Sequence, residues 1–244
     1  MKDILQDIIS HTLDLGDIDL VKITGTETSS TINAVAGDKS VIVVGKVKNP
    51  HPEFLGVFGM PNLSKLKTIL SLDDYDETSK ISMTYKGQTD ADKVPEAIHF
   101  ETKGSDFIND YRLMAKSLIE DRVKDFMFNG NGWNIEFVPS VASTLRLKKQ
   151  SQVHSEETVF NTKVENGNLN IYFGDPSTHN GNFVFQSGVK GTIKSNWYWP
   201  VKEVINILSL PGDKVFRICD QGALMITVDS GLATYEYFFP AHQK

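Results

Sequence analysis

Apolar residues recur at helical spacing in four short stretches of the chain. Ile4, Leu5, Ile8 and Ile9, with Leu13 beyond them, predict an amphipathic helix near the start. Leu63, Leu66, Ile69 and Leu70 predict a second over residues 61–72, opened by Pro61, whose fixed φ suits a first helical turn. Val141 and Leu145, with Val153 further on, predict a third near 140–151, entered through Pro139-Ser140. Val201, Val204, Ile205 and Leu208 predict a fourth over 200–210, with Pro200 at its start and Pro211-Gly212 at its end.

Between these stretches the pattern changes to two-residue alternation or short apolar runs, which reads as strands. DLVKIT, STINAVAG, SVIVVGKV and EFLGVFG follow the first helix, and TVFNTKV, NLNIYFG, NFVFQSGV and SNWYWP follow the third. KISMTYKG, EAIHFETKG and NDYRLMAK close one half; DKVFRICDQ, ALMITVDS and ATYEYFFPA close the other. The helix phrase KLKTILSL at 65–72 returns as EVINILSL at 203–210. Helix, four strands, helix, three strands thus occurs twice, and the expectation is an α+β chain of two topologically equivalent domains. They cover 1–116 and 133–244, with a connector over 117–132. The connector holds the charged stretch EDRVKD and then alternating Asn and Gly, which favour turns. It reads either as a plain interdomain loop or as a docking segment carrying Leu118, Ile119, Val123 and Phe126.

Composition narrows the classes. The 244 residues are 40% hydrophobic and 23% charged, ordinary for a globular protein. No apolar run is long enough to span a bilayer, and the start MKDILQDIIS lacks the pattern of a signal peptide. Cys219 is the single cysteine, which excludes an intrachain disulfide framework and a cysteine metal cluster; set in an apolar strand, it reads as a buried, inert thiol. The six histidines form no pair at metal-ligand spacing, and no phosphate loop, dinucleotide fingerprint or nucleophile elbow is present. The acid runs DLGDIDL and LDDYDE lack the glycine and terminal glutamate of a calcium loop and read as solvated turns. Nothing here calls for catalysis, a metal or a cofactor.

Charge is more informative. The overall balance is −6. Yet the second, third and fourth helices carry Lys65, Lys67, Arg146, Lys148, Lys149 and Lys202 against one acid, Glu203. The first helix opposes Lys2 with Asp3 and Asp7. Cations gathered on repeated helices of an acidic chain suggest one positive face; the alternative is the ordinary charged outer side of amphipathic helices. No aromatic residues interleave with them, so the expected contact is with phosphates and is independent of base sequence.

With the tandem halves, KLKTILSL and EVINILSL, and the ending ALMITVDSGLATYEYFFPA, the chain resembles the DNA sliding clamps, the polymerase processivity factors. YRLMAKSLIEDRV looks like the last strand of a first clamp domain running into the connecting loop. The match is similar to clamps of T-even-type tailed phages, including those of marine cyanophages, and covers almost the whole chain. It implies two short helices packed on antiparallel sheets in each domain. It also implies a homotrimeric ring encircling duplex DNA and a non-catalytic role in tethering the replicative DNA polymerase. Further implications are loading by a clamp loader ATPase, no membrane partner, and work in the cytoplasm of an infected bacterial host. Lys65, Lys67, Arg146, Lys148, Lys149 and Lys202 would then face DNA. A partner-peptide pocket would use Val43, Val44, Leu118, Ile119, Val123, Tyr237, Phe239 and Pro240, although the aromatic ending reads equally as core. The subunit joint would pair EAIHFETKG with NFVFQSGV of the next copy, packing Ile98, Phe100, Phe183 and Phe185. A rival reading makes the chain a phage structural protein built from duplicated β-rich domains, with no role for Lys148 or Lys149. A third is a hydrolase with an acid–histidine site, indifferent to the helical cations.

Overall fold

The computed structural model describes residues 1–16, 18–87 and 93–242. The chain divides into two compact units. The first comprises Met1–Lys39, Val43–Phe126 and Ser230–Tyr235; the second comprises Ser40–Ile42, Met127–Asp229 and Glu236–Lys244. The step from Phe126 to Met127 falls inside the expected connector.

In order, the first half forms α1 (Lys2–Ser10), a 3-10 turn (Leu13–Leu15), β1 (Leu20–Gly25), β2 (Ser30–Val35), β3 (Ile42–Val47), β4 (Gly56–Pro61), α2 (Leu63–Leu70), β5 (Lys80–Lys86), β6 (Val94–Glu101), β7 (Ile108–Arg112) and α3 (Lys116–Arg122). The second forms β8 (Ile135–Phe137), α4 (Val141–Val153), β9 (Val159–Glu165), β10 (Asn168–Gly174), β11 (Asn180–Ser187), β12 (Trp197–Pro200), α5 (Val201–Ser209), β13 (Asp213–Cys219), β14 (Ala223–Asp229) and β15 (Ala233–Pro240). Strands β1 to β4 lie in the order β4-β1-β2-β3, and β9 to β12 repeat it as β12-β9-β10-β11. The pairings of β1 with β2 and β4, of β10 with β9 and β11, and of β9 with β12 are antiparallel. The fold is α+β, with short helices on antiparallel sheets. β8 and α3 are additions the periodicity does not announce, because they are only three and seven residues long.

In the first unit α1 and α2 lie side by side. α1 buries Ile4, Leu5, Ile8 and Ile9, and α2 buries Leu63, Leu66, Ile69 and Leu70, the stripes expected of an amphipathic helix on a sheet. Pro61 does not open α2. It is the last residue of β4, opposite Leu20, and Asn62 caps the helix from the left-handed region at φ 55°, its side chain accepting from the Lys65 amide. Asn tolerates that conformation better than most residues and supplies the oxygen a helix start lacks. Asp19 adds a second acceptor, its carboxylate 3.2 Å from the Ser64 amide.

α4 departs from the expected pattern more seriously. Val141 is 78% exposed, Leu145 51% and Val153 69%, so the predicted apolar face looks outward. The inward face is Ser143, Leu147, Gln150 and His154, a helical stripe with one apolar member. It can pack because α4 lies against β11 at Gly181, where a Cβ would come within 2.3 Å of Gln150 Nε2 and 2.5 Å of His154 Nε2. The His154 ring stacks on Phe173 at 5.7 Å. α5, alongside α4, returns to the regular scheme and buries Val201, Val204, Ile207 and Leu208, with Ile207 in the place expected of Ile205, which is half-buried.

Candidate nucleic-acid interface and partner surface

The helical cations can be placed one by one. Lys65, Lys67, Arg146, Lys149 and Lys202 are exposed, and Lys148 is half-buried. In the first unit Lys65 and Lys67 stand on α2 away from its buried stripe. Lys67 is partly spent: its Nζ lies 2.6 Å from Asp14 Oδ1. Asp14 belongs to one of the acid runs, whose Asp17 lies outside the described residues. In the second unit Arg146 and Lys149 project from α4 and Lys202 from the first turn of α5.

α1 carries less negative charge outward than its sequence suggests. Asp7 is turned into the first unit, where its carboxylate accepts from the Tyr235 hydroxyl at 2.8 Å and the Ser230 hydroxyl at 3.0 Å. The His11 ring stacks on Tyr235 at 4.2 Å and its Nδ1 lies 2.9 Å from the Asp7 carbonyl oxygen. These hydrogen bonds offset part of the cost of burying the carboxylate, which keeps its negative charge. Asp3 stays exposed, while Lys2 donates to the Tyr75 carbonyl at 2.6 Å. The exposed carboxylate of α1 is therefore Asp3, with the Asp7 charge set behind it.

The residues expected at a partner pocket divide by burial. Val43, Ile119, Tyr237 and Phe239 are fully buried, Val123 is buried, and Val44 is half-buried. Leu118, 58% exposed, and Pro240, also exposed, are the two available to a partner in the chain as it stands. α3 explains the contrast: its Ile119 seats on Gly59 of β4, where a Cβ would meet the Ile119 side chain at 2.9 Å. Gly59 and Met114 also exchange backbone hydrogen bonds at 2.9 and 2.8 Å, fixing the start of the connector. Further along, the buried Lys22 amino group reaches Asp125 at 2.7 Å. Past Asp125, Met127 is 80% exposed, and Phe128 stacks between Trp133 at 4.4 Å and Phe238 at 6.0 Å. Sequence reading missed Lys22, Asp125 and this aromatic stack. A lysine inside an apolar strand run was the available signal.

The expected subunit joint needs correction. EAIHFETKG forms β6, the middle strand of β5-β6-β7, hydrogen-bonded to β5 on one side and β7 on the other. A strand paired on both sides has no edge to offer another chain. Ile98 and Phe100 are fully buried within the first unit, and Phe185 packs against Phe137 and Phe216 in the second, leaving Phe183 half-exposed. Four strands end these two sheets, and they are treated differently. β5 is blocked at Met83, whose amide donates to the Glu53 carboxylate. β12 is bridged by His242, which exchanges backbone hydrogen bonds with Tyr198. β7 and β11 each pair on one side alone among the described residues, and carry the exposed Ile108 and Val184.

No cluster of ligating side chains suited to a metal occurs among the described residues, and none of their helices is long and apolar enough to cross a membrane. Cys219 is buried.

No protein-family model and no curated protein sequence matches the chain. Solved structures do match, over essentially its whole length. The A. fulgidus PCNA structure bound to the C-terminal region of FEN-1 superposes with a TM-score of 0.67 at 10% identity, covering 100% of this chain and 95% of that one. PCNA from Thermococcus kodakaraensis gives 0.66 at 9% identity, covering 98% and 97%. Proliferating cell nuclear antigen from Entamoeba histolytica gives 0.63 at 11% identity, covering 99% and 94%. The fold is therefore that of the PCNA-type sliding clamp.

Proposed function

We propose that this chain is a DNA sliding clamp: copies close into a ring around duplex DNA and hold the replicative polymerase to its template. The observation that carries the reading is the end-to-end match of the fold to PCNA chains, both units included, at a TM-score of 0.63–0.67. The helical cations support it. Lys65, Arg146, Lys149 and Lys202 are exposed and, unlike Lys67, form no ion pair with a carboxylate among the described residues. Such side chains neutralise phosphates without reading bases, which suits a protein that must move along any sequence.

Three copies close the ring. The open edges of β7 and β11 sit on different units, so β7 of one copy meets β11 of the next, head to tail. Pairing them hides both edges. Retention comes from closure, while phosphate contacts only keep the track centred. The chain performs no chemistry. Partner proteins, the polymerase and a clamp loader ATPase among them, dock on the connector, where Leu118 stands exposed. The setting is a tailed-phage replisome in the cytoplasm of a bacterial host.

The test compares retention on nicked circular and linearised DNA after loading. A topological link survives on the circle and is lost through free ends; equal retention on both overturns the reading.

A further inference from the structure

β5 and β13 hold the same place in the two halves. Each is the first strand after the second helix of its half, and each has the following strand, β6 or β14, on one side. Their other sides differ. β13 is closed by β8, which sets Ile135, Glu136 and Phe137 opposite Ile218, Arg217 and Phe216. β5 has no strand there among the described residues.

The direction of the polar groups along that open side follows from the ladder. The Thr102 amide, just past β6, donates to the Phe107 carbonyl at 3.1 Å, so Thr102 turns its backbone toward β7. Backbone groups alternate along a strand, so Phe100 and Ile98 turn the same way. Met83 stands opposite Ile98 and therefore points its amide away from β6, at the middle of the open edge. Glu53 meets it there, its carboxylate accepting from the Met83 amide.

Glu53 belongs to the loop between β3 and β4, and the loop is fixed in place. Phe54 is fully buried against Phe58, and its amide donates to the His51 carbonyl at 2.9 Å. The Tyr85 hydroxyl donates to the Glu53 carbonyl at 2.8 Å, a second tie to β5. A strand such as β8 satisfies its neighbour and presents a new edge of its own. A carboxylate satisfies the amide and ends the ladder, because it has no amide to offer and it brings a charge that an added strand must desolvate. At the start of β5 the groove beside Ile81, about 420 Å³, is lined by Lys2, Asp3, Asp76 and Glu77, which adds to that cost.

We propose that Glu53 decides which edges of the chain can join another copy. With the Met83 amide held, β5 adds no strand, and joining is left to β7 and β11. Which joint is productive rests on the ring reading; the closure of β5 does not.

The test compares the full chain with Glu53→Ala by sedimentation and mass photometry over a concentration series. The variant is expected to form assemblies heavier than the parent's at concentrations at least about tenfold below any at which the parent forms them. Glu53→Gln keeps an acceptor for the amide and should behave as the parent does. Tyr85→Phe loosens the loop and leaves the carboxylate, so it should also keep the parent's masses. Ser82→Lys, added to Glu53→Ala on the face of β5 opposite Met83, puts a charge back on the edge and should remove the heavy species. Parent-like masses for Glu53→Ala overturn the proposal. So do heavy species formed equally by Tyr85→Phe, which assign the effect to the loop, or heavy species that persist with Ser82→Lys, which assign it to unfolding. A parent that runs as a single chain sinks the ring reading alone; heavier species of Glu53→Ala then still support the closure of β5, and their absence still overturns it.

Discussion

The helix α1 opens the first unit and α4 opens the repeated pattern of the second, yet they are held by different means. α1 is an ordinary amphipathic helix whose four isoleucine and leucine side chains are buried. α4 has Leu147 as its one buried apolar residue and meets the sheet through polar side chains at a glycine. Duplication preserved the topology and not the means of attachment. Once close approach at Gly181 replaced an apolar stripe, the apolar residues of α4 were free to face outward. The charge on the two faces diverged with it: α1 turns Asp7 inward and keeps Asp3, whereas α4 displays Arg146 and Lys149 with no acid.

That contrast can be broken by substitution. Ile8→Ala, at a fully buried position of α1, should cost about 2–5 kcal/mol in urea unfolding. Leu145→Ala, at an outward position of α4, should stay within about 0.5 kcal/mol. Equal losses would mean that α4 is held by its apolar side after all. Gly181→Ala forces Gln150 and His154 to move and should destabilise by about 1–3 kcal/mol. Amide exchange should then quicken along α4 and leave α1 protected; a uniform change along both helices would contradict the role given to this glycine. Asp7→Asn weakens the bonds from Tyr235 and Ser230 and should cost about 1–2 kcal/mol by the same unfolding measurement, with α4 unaffected.

The smallest effect sharpens the electrostatic half of the comparison. Lys149→Ala should lower the salt dependence of DNA binding by about one phosphate equivalent. Lys67→Ala should lower it by less, because Asp14 already holds that ammonium. A larger effect at Lys67 than at Lys149 would reverse the assignment of which helix meets the phosphates.

Legibility in the sequence follows the same division. Wherever one apolar face met one core, as in α1, α2, α5 and the paired strand sets, periodicity located the element and its buried side. α4 was found as a helix and turned the wrong way, since Ser143, Gln150 and His154 read as solvent residues and the glycine that admits them lies in another element. A proline before an apolar stripe suits a first turn, yet Pro61 ends β4, because Asn62 is the residue able to cap α2. Exposed cations were visible as letters, but the ion pair on Lys67 and the burial of Asp7 depend on contacts across 53 and 228 positions of chain. The subunit edge was misassigned to β6 for a related reason. Alternation identifies a strand and cannot tell a middle strand from an edge, which is a property of its neighbours.

Ring closure by the β7 and β11 edges is the claim on which the functional reading rests, and the mass of the full chain in solution tests it most directly. Sedimentation or mass photometry should find a closed assembly of three 27.2 kDa chains, lost when charged residues are placed along either edge. A single chain at every concentration, or an open series of ever larger assemblies, would contradict it.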